Sequence, residues 1–119
     1  MSVHARRGKR AVTFWRVIKE FPGPLTRVEL TPQTGRTHQL RVHLASMGYP
    51  VLGDATYGGG VNRLTDHPRL TGLKPLVHRQ LLHAWRLGIT HPRTGEPLTW
   101  EASLPEDFQA VVDKLENLN

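Results

Sequence analysis

At 119 residues, 38% apolar and 22% charged, the chain has the length of one domain and the composition of a folded chain, not a disordered one. No apolar run approaches the roughly 20 residues of a membrane span, and the absence of cysteine excludes disulfides and thiolate metal sites and fits a cytoplasmic protein. The formal charge of +6, carried mostly by arginine, points to a polyanionic partner, because each phosphate neutralised releases counterions and guanidinium forks suit phosphate oxygens and base edges.

In chain order, residues 1–8 read as an exposed basic arm with His4, Arg6 and Arg7, and residues 9–119 as the domain proper. Ala11–Lys19, rich in β-branched and aromatic residues, predicts a strand. Phe21-Pro22-Gly23-Pro24 predicts a turn, and the alternating Leu25–Thr31 an antiparallel partner strand. Thr34-Gly35-Arg36-Thr37 then opens a short helix, with Thr34 or Thr37 as cap and Gly48 as its left-handed end. Leu40, Leu44 and Met47, at i, i+4 and i+7, predict its buried stripe. Arg41 flanks that stripe, where an arginine requires a carboxylate or phosphate. The donors crowded here, Arg36, His38, Arg41 and His43, suit an anion.

Residues 54–76 read as a long connection broken by Gly and Pro, flexible at Gly58-Gly59-Gly60. His78 begins a helical turn, Leu82–Thr90 and Leu98–Ala102 form a hairpin, and Pro105 opens a last helix with Phe108, Val111, Val112 and Leu115 as its apolar stripe. The fold class expected is α+β: a mixed, mainly antiparallel sheet with helices packed on it.

Seven histidines raise the question of a metal. His38 and His43 are five apart, as are His78 and His83, whereas helical zinc ligands fall four apart on one face, so no metal site is expected. Neither Ser46 nor Ser103 lies in a nucleophile-elbow frame.

Two stretches bear a family resemblance. GRTHQLRVHLASMGYPVLGDATYG (35–58) resembles the third conserved motif of the RluA-like RNA pseudouridine synthases, and HRQLLHAWRLGITHPRTGEPLTWEASLPEDF (78–108) resembles the end of the same catalytic domain. KRAVTFWRVI and LTRVELTPQTG resemble the strands before that motif. The resemblance implies isomerisation of uridine to pseudouridine in rRNA or tRNA, without cofactor or metal, by an aspartate nucleophile. It implies that Arg41 pairs with that aspartate and that Leu81 or Leu82 walls the target base. Arg36, His38, Arg63, His78 and Arg79 become candidate RNA contacts, and Gly35, Gly53 and Asp54 structural positions of the motif.

The HRLD-type motif that carries the nucleophile has no counterpart in this sequence. Asp54 falls in the GD-x-x-YG turn, and Asp66, Asp107 and Asp113 match no catalytic position; nor is Tyr49 or Tyr57 the tyrosine that stacks on the base. Arg41 is thus expected to be the partner of an aspartate absent from this chain. Three readings follow: the C-terminal half of a synthase domain, inactive alone or one half of a split enzyme; a non-catalytic RNA-binding remnant; or an isomerase with an unorthodox aspartate. Either of the first two predicts an exposed sheet edge and apolar face, covered by the N-terminal half or by a second copy.

Overall fold

The computed structural model describes residues 2–4, 10–21, 25–60 and 68–117. The candidate contact Arg63, Asp66, the arm residues Arg6 and Arg7, Lys9, and the turn Pro22–Pro24 lie outside the described residues, as does the side chain of Arg69. The elements are β1 (Ser2–His4), β2 (Val12–Glu20), β3 (Thr26–Pro32), α1 (Gln39–Ser46), a 3₁₀ helix (Pro68–Leu76), β4 (Arg86–Thr90), β5 (Pro97–Glu101) and α2 (Glu106–Glu116). They make the expected α+β arrangement: an antiparallel sheet ordered β1-β2-β3 and a separate antiparallel hairpin β4-β5.

β2 and β3 pair from Thr13 opposite Pro32 to Glu20 opposite Thr26, with a bulge between Val17 and Lys19 that bends the strand. Residues opposite one another share a face. One face therefore carries Thr13, Trp15 and Val17 beside Leu30 and Val28, and the other carries the exposed ion pair Arg16–Glu29. Ser2–His4, read as part of a basic arm, instead pairs with Phe14–Val12 as an added strand.

The apolar core lies away from that sheet face. Leu70 and Leu73 of the 3₁₀ helix, Val111, Val112 and Leu115 of α2, Phe21 and Val77 form it, with Phe108, Leu25, Leu52, Leu76 and Leu81 packed around them. The stripe predicted for the last helix is thus the observed one. The connection 54–76 is not the featureless loop expected. At three residues per 3₁₀ turn, Leu70, Leu73 and Leu76 fall on one side, and the first two have no exposed surface. Gly58 and Gly60 are also ordered: both donate their N–H to the Asp54 carbonyl, and a Cβ on Gly58 would collide with the ring of Pro50.

No helical turn forms at His78, and residues 82–85, expected in the strand, run irregularly, so the first strand of the hairpin begins only at Arg86. Leu87 and Ile89, opposite Trp100 and Leu98, give the hairpin one apolar face. Leu87, Ile89 and Trp100 are about half exposed, as are Phe14, Val17 and Ile18 of β2. The radius of gyration, 16.0 Å, exceeds the about 13.5 Å of a compact domain of this length. The accessible surface, 8417 Å², exceeds the about 6,500 Å² expected of a monomer of this mass. Among the described residues no helix is long and apolar enough to cross a membrane.

Candidate functional site

The segment after β3 is organised by hydrogen bonds to β2. The Thr34 hydroxyl accepts the Val12 N–H at 3.0 Å and donates to the Gln39 side-chain carbonyl, which also accepts the Arg36 N–H at 3.1 Å. The Gln39 amide donates to the Val12 carbonyl (2.9 Å) and to the Thr13 hydroxyl (3.0 Å), and Thr13 meets His43 Nδ1 at 2.8 Å. Gln39 and His43 are the buried residues of α1. The helix therefore docks on the sheet through a polar layer, and the expected stripe of Leu40, Leu44 and Met47 is only half-buried. The reason lies at the start of β2, which offers a carbonyl and a hydroxyl where an apolar side chain would leave them unpaired.

Neither Thr34 nor Thr37 caps the helix. The N-cap is His38, in a left-handed conformation (φ 50°) with no side-chain cap bond. Positive φ is uncommon outside glycine, though histidine tolerates it better than most residues. The helix ends as predicted: Gly48 (φ 86°) donates to Ala45 O and Tyr49 to Leu44 O, a Schellman pair.

Arg41 rises from the first turn of α1 onto Asp54. Its Nε donates to Oδ2 at 2.7 Å and its Nη2 to Oδ1 at 2.9 Å, a side-on bidentate pair. The Asp54 side chain has no exposed surface and that of Arg41 is 14% exposed. Oδ1 also accepts the N–H groups of Thr56 and Tyr57, both at 3.1 Å. The guanidinium hydrogen bonds, helped by these two amides and opposed by desolvation, hold the Asp54 carboxyl down to about 2, and the same pairing raises Arg41 above its ordinary value. Asp54, expected only as a structural position of the turn, is thus a carboxylate partner of Arg41 within this chain.

Tyr57 completes the group. Arg41 Cζ sits 5.1 Å from the centre of its ring, within reach of a cation–π attraction. His38 meets the ring edge-on, its Nδ1 2.9 Å from the tyrosine oxygen. Arg41 also lines a shallow hollow of about 230 Å³ with Thr34, Gly35, Arg36, His38 and Leu82. Thus Arg36, His38, Arg41 and Leu82 come together, whereas Leu81 turns into the apolar core and bonds Leu52 O through its backbone N–H at 2.9 Å. Arg36 is exposed, with Nε on the Arg10 carbonyl at 3.0 Å.

His78 is exposed and lies outside the hollow. Arg79, expected at RNA, is committed elsewhere. It holds Asp107 at the start of α2 through Nε (2.8 Å) and Nη2 (3.0 Å), and its Nη1 donates to the carbonyls of Gln80 and Leu82. Those bonds lower the Asp107 pKa. Gly53 (φ 83°) has no room for a Cβ, which would overlap the Arg79 carbonyl and a Val77 methyl, so the motif needs glycine there. A Cβ on Gly35 would meet nothing within 4 Å. Gln39 and Tyr57 were missed; the signal available for Gln39 was its four-residue spacing from His43, which puts two polar side chains on one helical face.

Sequence comparison agrees with the motifs. Residues 1–46 match the RNA pseudouridylate synthase family model. Over 111 residues, 93% of this chain, it is 42% identical to ribosomal large subunit pseudouridine synthase D of Nitrosomonas europaea, covering 31% of that protein. It is 43% identical to an uncharacterized RNA pseudouridine synthase of Chlorobaculum parvum over 91% of this chain and 34% of that one. To the dual-specificity RNA pseudouridine synthase RluA of Haemophilus influenzae it is 47% identical over 80% of this chain and 38% of that one. The chain spans about a third of the length of these curated relatives. Read together with the two motifs, these matches say that most of this chain is similar to one part, about a third in length, of RNA pseudouridine synthases.

Proposed function

We propose that these residues form the later half of a pseudouridine synthase catalytic domain, acting on uridine in rRNA or tRNA once a nucleophilic aspartate is supplied from outside the 119 residues. The observation that carries this reading is Arg41: a nearly buried guanidinium, fixed from one side, lining a hollow with Arg36, His38 and Leu82. In this reading Arg41 meets the incoming aspartate, Leu82 lies beside the target base, and Arg36 and His38 meet phosphate. The described aspartates are poor substitutes. Asp54 has no surface for substrate, Asp107 is held by Arg79, and Asp113 accepts from Gln109 on the outside of α2.

The exposed apolar surfaces support a partner. Leu87, Ile89 and Trp100 on the hairpin and Phe14, Val17 and Ile18 on β2 are the faces we assign to contact with the remainder of the catalytic domain. The test is to incubate the chain with ribosomal RNA and tRNA and map pseudouridine, with and without a separately expressed N-terminal half from a relative. Product only with the half added is the expected result. Product from the 119 residues alone would overturn the assignment of an external nucleophile, and RNA binding without product in either arm would favour a non-catalytic RNA-binding remnant.

A further inference from the structure

Asp54 is placed to do more than neutralise Arg41. Its two oxygens take the Nε and one Nη2 hydrogen, the side-on edge of the guanidinium. Of the five N–H groups an arginine carries, the Nη1 pair and the second Nη2 hydrogen have no hydrogen-bond partner among the described residues. The Asp54 carboxylate cannot swing, because Oδ1 is fixed by the amides of Thr56 and Tyr57 and the side chain is wholly buried. Tyr57 limits the remaining freedom, its ring against the guanidinium and its hydroxyl on His38.

We propose that Asp54 is a positioning residue that locks Arg41 by its side-on edge, so that the opposite Nη1/Nη2 edge stands ready, at the hollow, for one further anionic oxygen pair. This deepens the reading above and rests on it only for the identity of that anion, the nucleophilic carboxylate. Two carboxylates on opposite edges of one guanidinium explain why a site that needs an arginine for an incoming aspartate should carry a second aspartate already bound. The buried pair is close to neutral as a unit, so the incoming carboxylate is guided by hydrogen-bond direction more than by net charge.

Arginine side-chain ¹⁵N NMR of the 119-residue chain, titrated with formate as a carboxylate probe, tests this without any activity. The Arg41 signals are assigned by their loss in Arg41→Lys. In the wild-type chain formate is expected to shift the Nη resonances and leave Nε in place. In Asp54→Asn it should shift Nε as well, as it does for a free arginine. A wild-type Nε that moves as far as the Nη signals, or Nη signals that do not move at all, would overturn the proposal; both are read in the wild-type chain even where Asp54→Asn does not fold. In the enzyme completed with an N-terminal half, Asp54→Asn should lower kcat about 10²-fold, the scale of an ångström of misplacement, with KM for RNA changed less than about threefold. A rise in KM at constant kcat would contradict positioning. If the completed wild-type enzyme makes no pseudouridine, the functional reading fails while the formate titration still decides this one.

Discussion

The two α-helices of this chain are fixed by opposite kinds of surface. α2 buries Val111, Val112 and Leu115 against the 3₁₀ helix, a contact any hydrocarbon of similar volume could approximate. α1 buries Gln39 and His43, and both Gln39 side-chain polar atoms and His43 Nδ1 have specific partners on β2 or in the Thr34 turn. Among the described residues no buried side-chain polar atom is left without a hydrogen bond. The lesson is a division of labour. The apolar helix supplies non-directional free energy. The polar helix sets position, because a hydrogen-bonded layer has one register and a displaced one leaves groups unpaired. The helix that carries Arg41 is the positioned one.

That contrast can be broken in order of expected cost. Asp54→Ala should be the most damaging, by about 3–5 kcal/mol, since it strips a buried arginine of its partner; urea unfolding that shifts by less than 1 kcal/mol would mean that water reaches the pair. Leu73→Ala should cost about 2–5 kcal/mol as a cavity in the apolar core, measured the same way. Gln39→Leu is the sharpest discriminator. If α1 docked by apolar contact the change would be neutral, but the loss of partners for Arg36 N–H and Thr34 predicts a cost of about 1–3 kcal/mol. The exposed pair Arg16–Glu29 should matter least: Arg16→Ala is expected to cost about 0.2–1 kcal/mol.

Acid adds a fifth test. Asp54 has its carboxyl depressed in the folded chain, so its contribution is fully present above the ordinary aspartate range. As pH falls the unfolded chain takes up the proton first, and the contribution is lost on the way down to about 2. The wild-type chain should therefore lose stability between roughly pH 5 and 2 more steeply than Asp54→Asn. Parallel curves would contradict the depressed carboxyl.

How far each helix was legible follows from the same contrast. The stripe of α2 was visible because hydrophobicity at 3.6-residue spacing is a property of the sequence itself. The β2–β3 pair and the β4–β5 hairpin were legible for the matching reason at period two. The layer under α1 was not. Nothing in Gln39 or His43 says that Val12 O and Thr13 Oγ1 lie opposite; that is a fact about β2, 27 residues earlier for Gln39. The 3₁₀ helix was hidden by its own Pro68, Gly72 and Pro75, which read as loop punctuation while Leu70 and Leu73 built the core. In the site, the family resemblance points to Arg41 but not to its partner within the chain, because a Gly-Asp turn accounts for Asp54 by backbone geometry alone and does not say where its side chain points.

The crowding around Gly53 has a consequence for assembly in time. The turn that aims Asp54 leans on the backbone of Arg79 and is bonded to Leu81 through Leu52, and Arg79 is in turn clasped by Asp107 at the start of α2. A ribosome releasing this chain delivers Arg41 and Asp54 long before residues 79 and 107. Until those arrive, the turn lacks the strand of backbone that shapes it, and closing contacts across 28 residues is slow compared with forming a helix. The guanidinium should therefore be aimed among the last events of synthesis, and a chain cut before α2 should contain every residue of the Arg41 cluster yet hold it loosely.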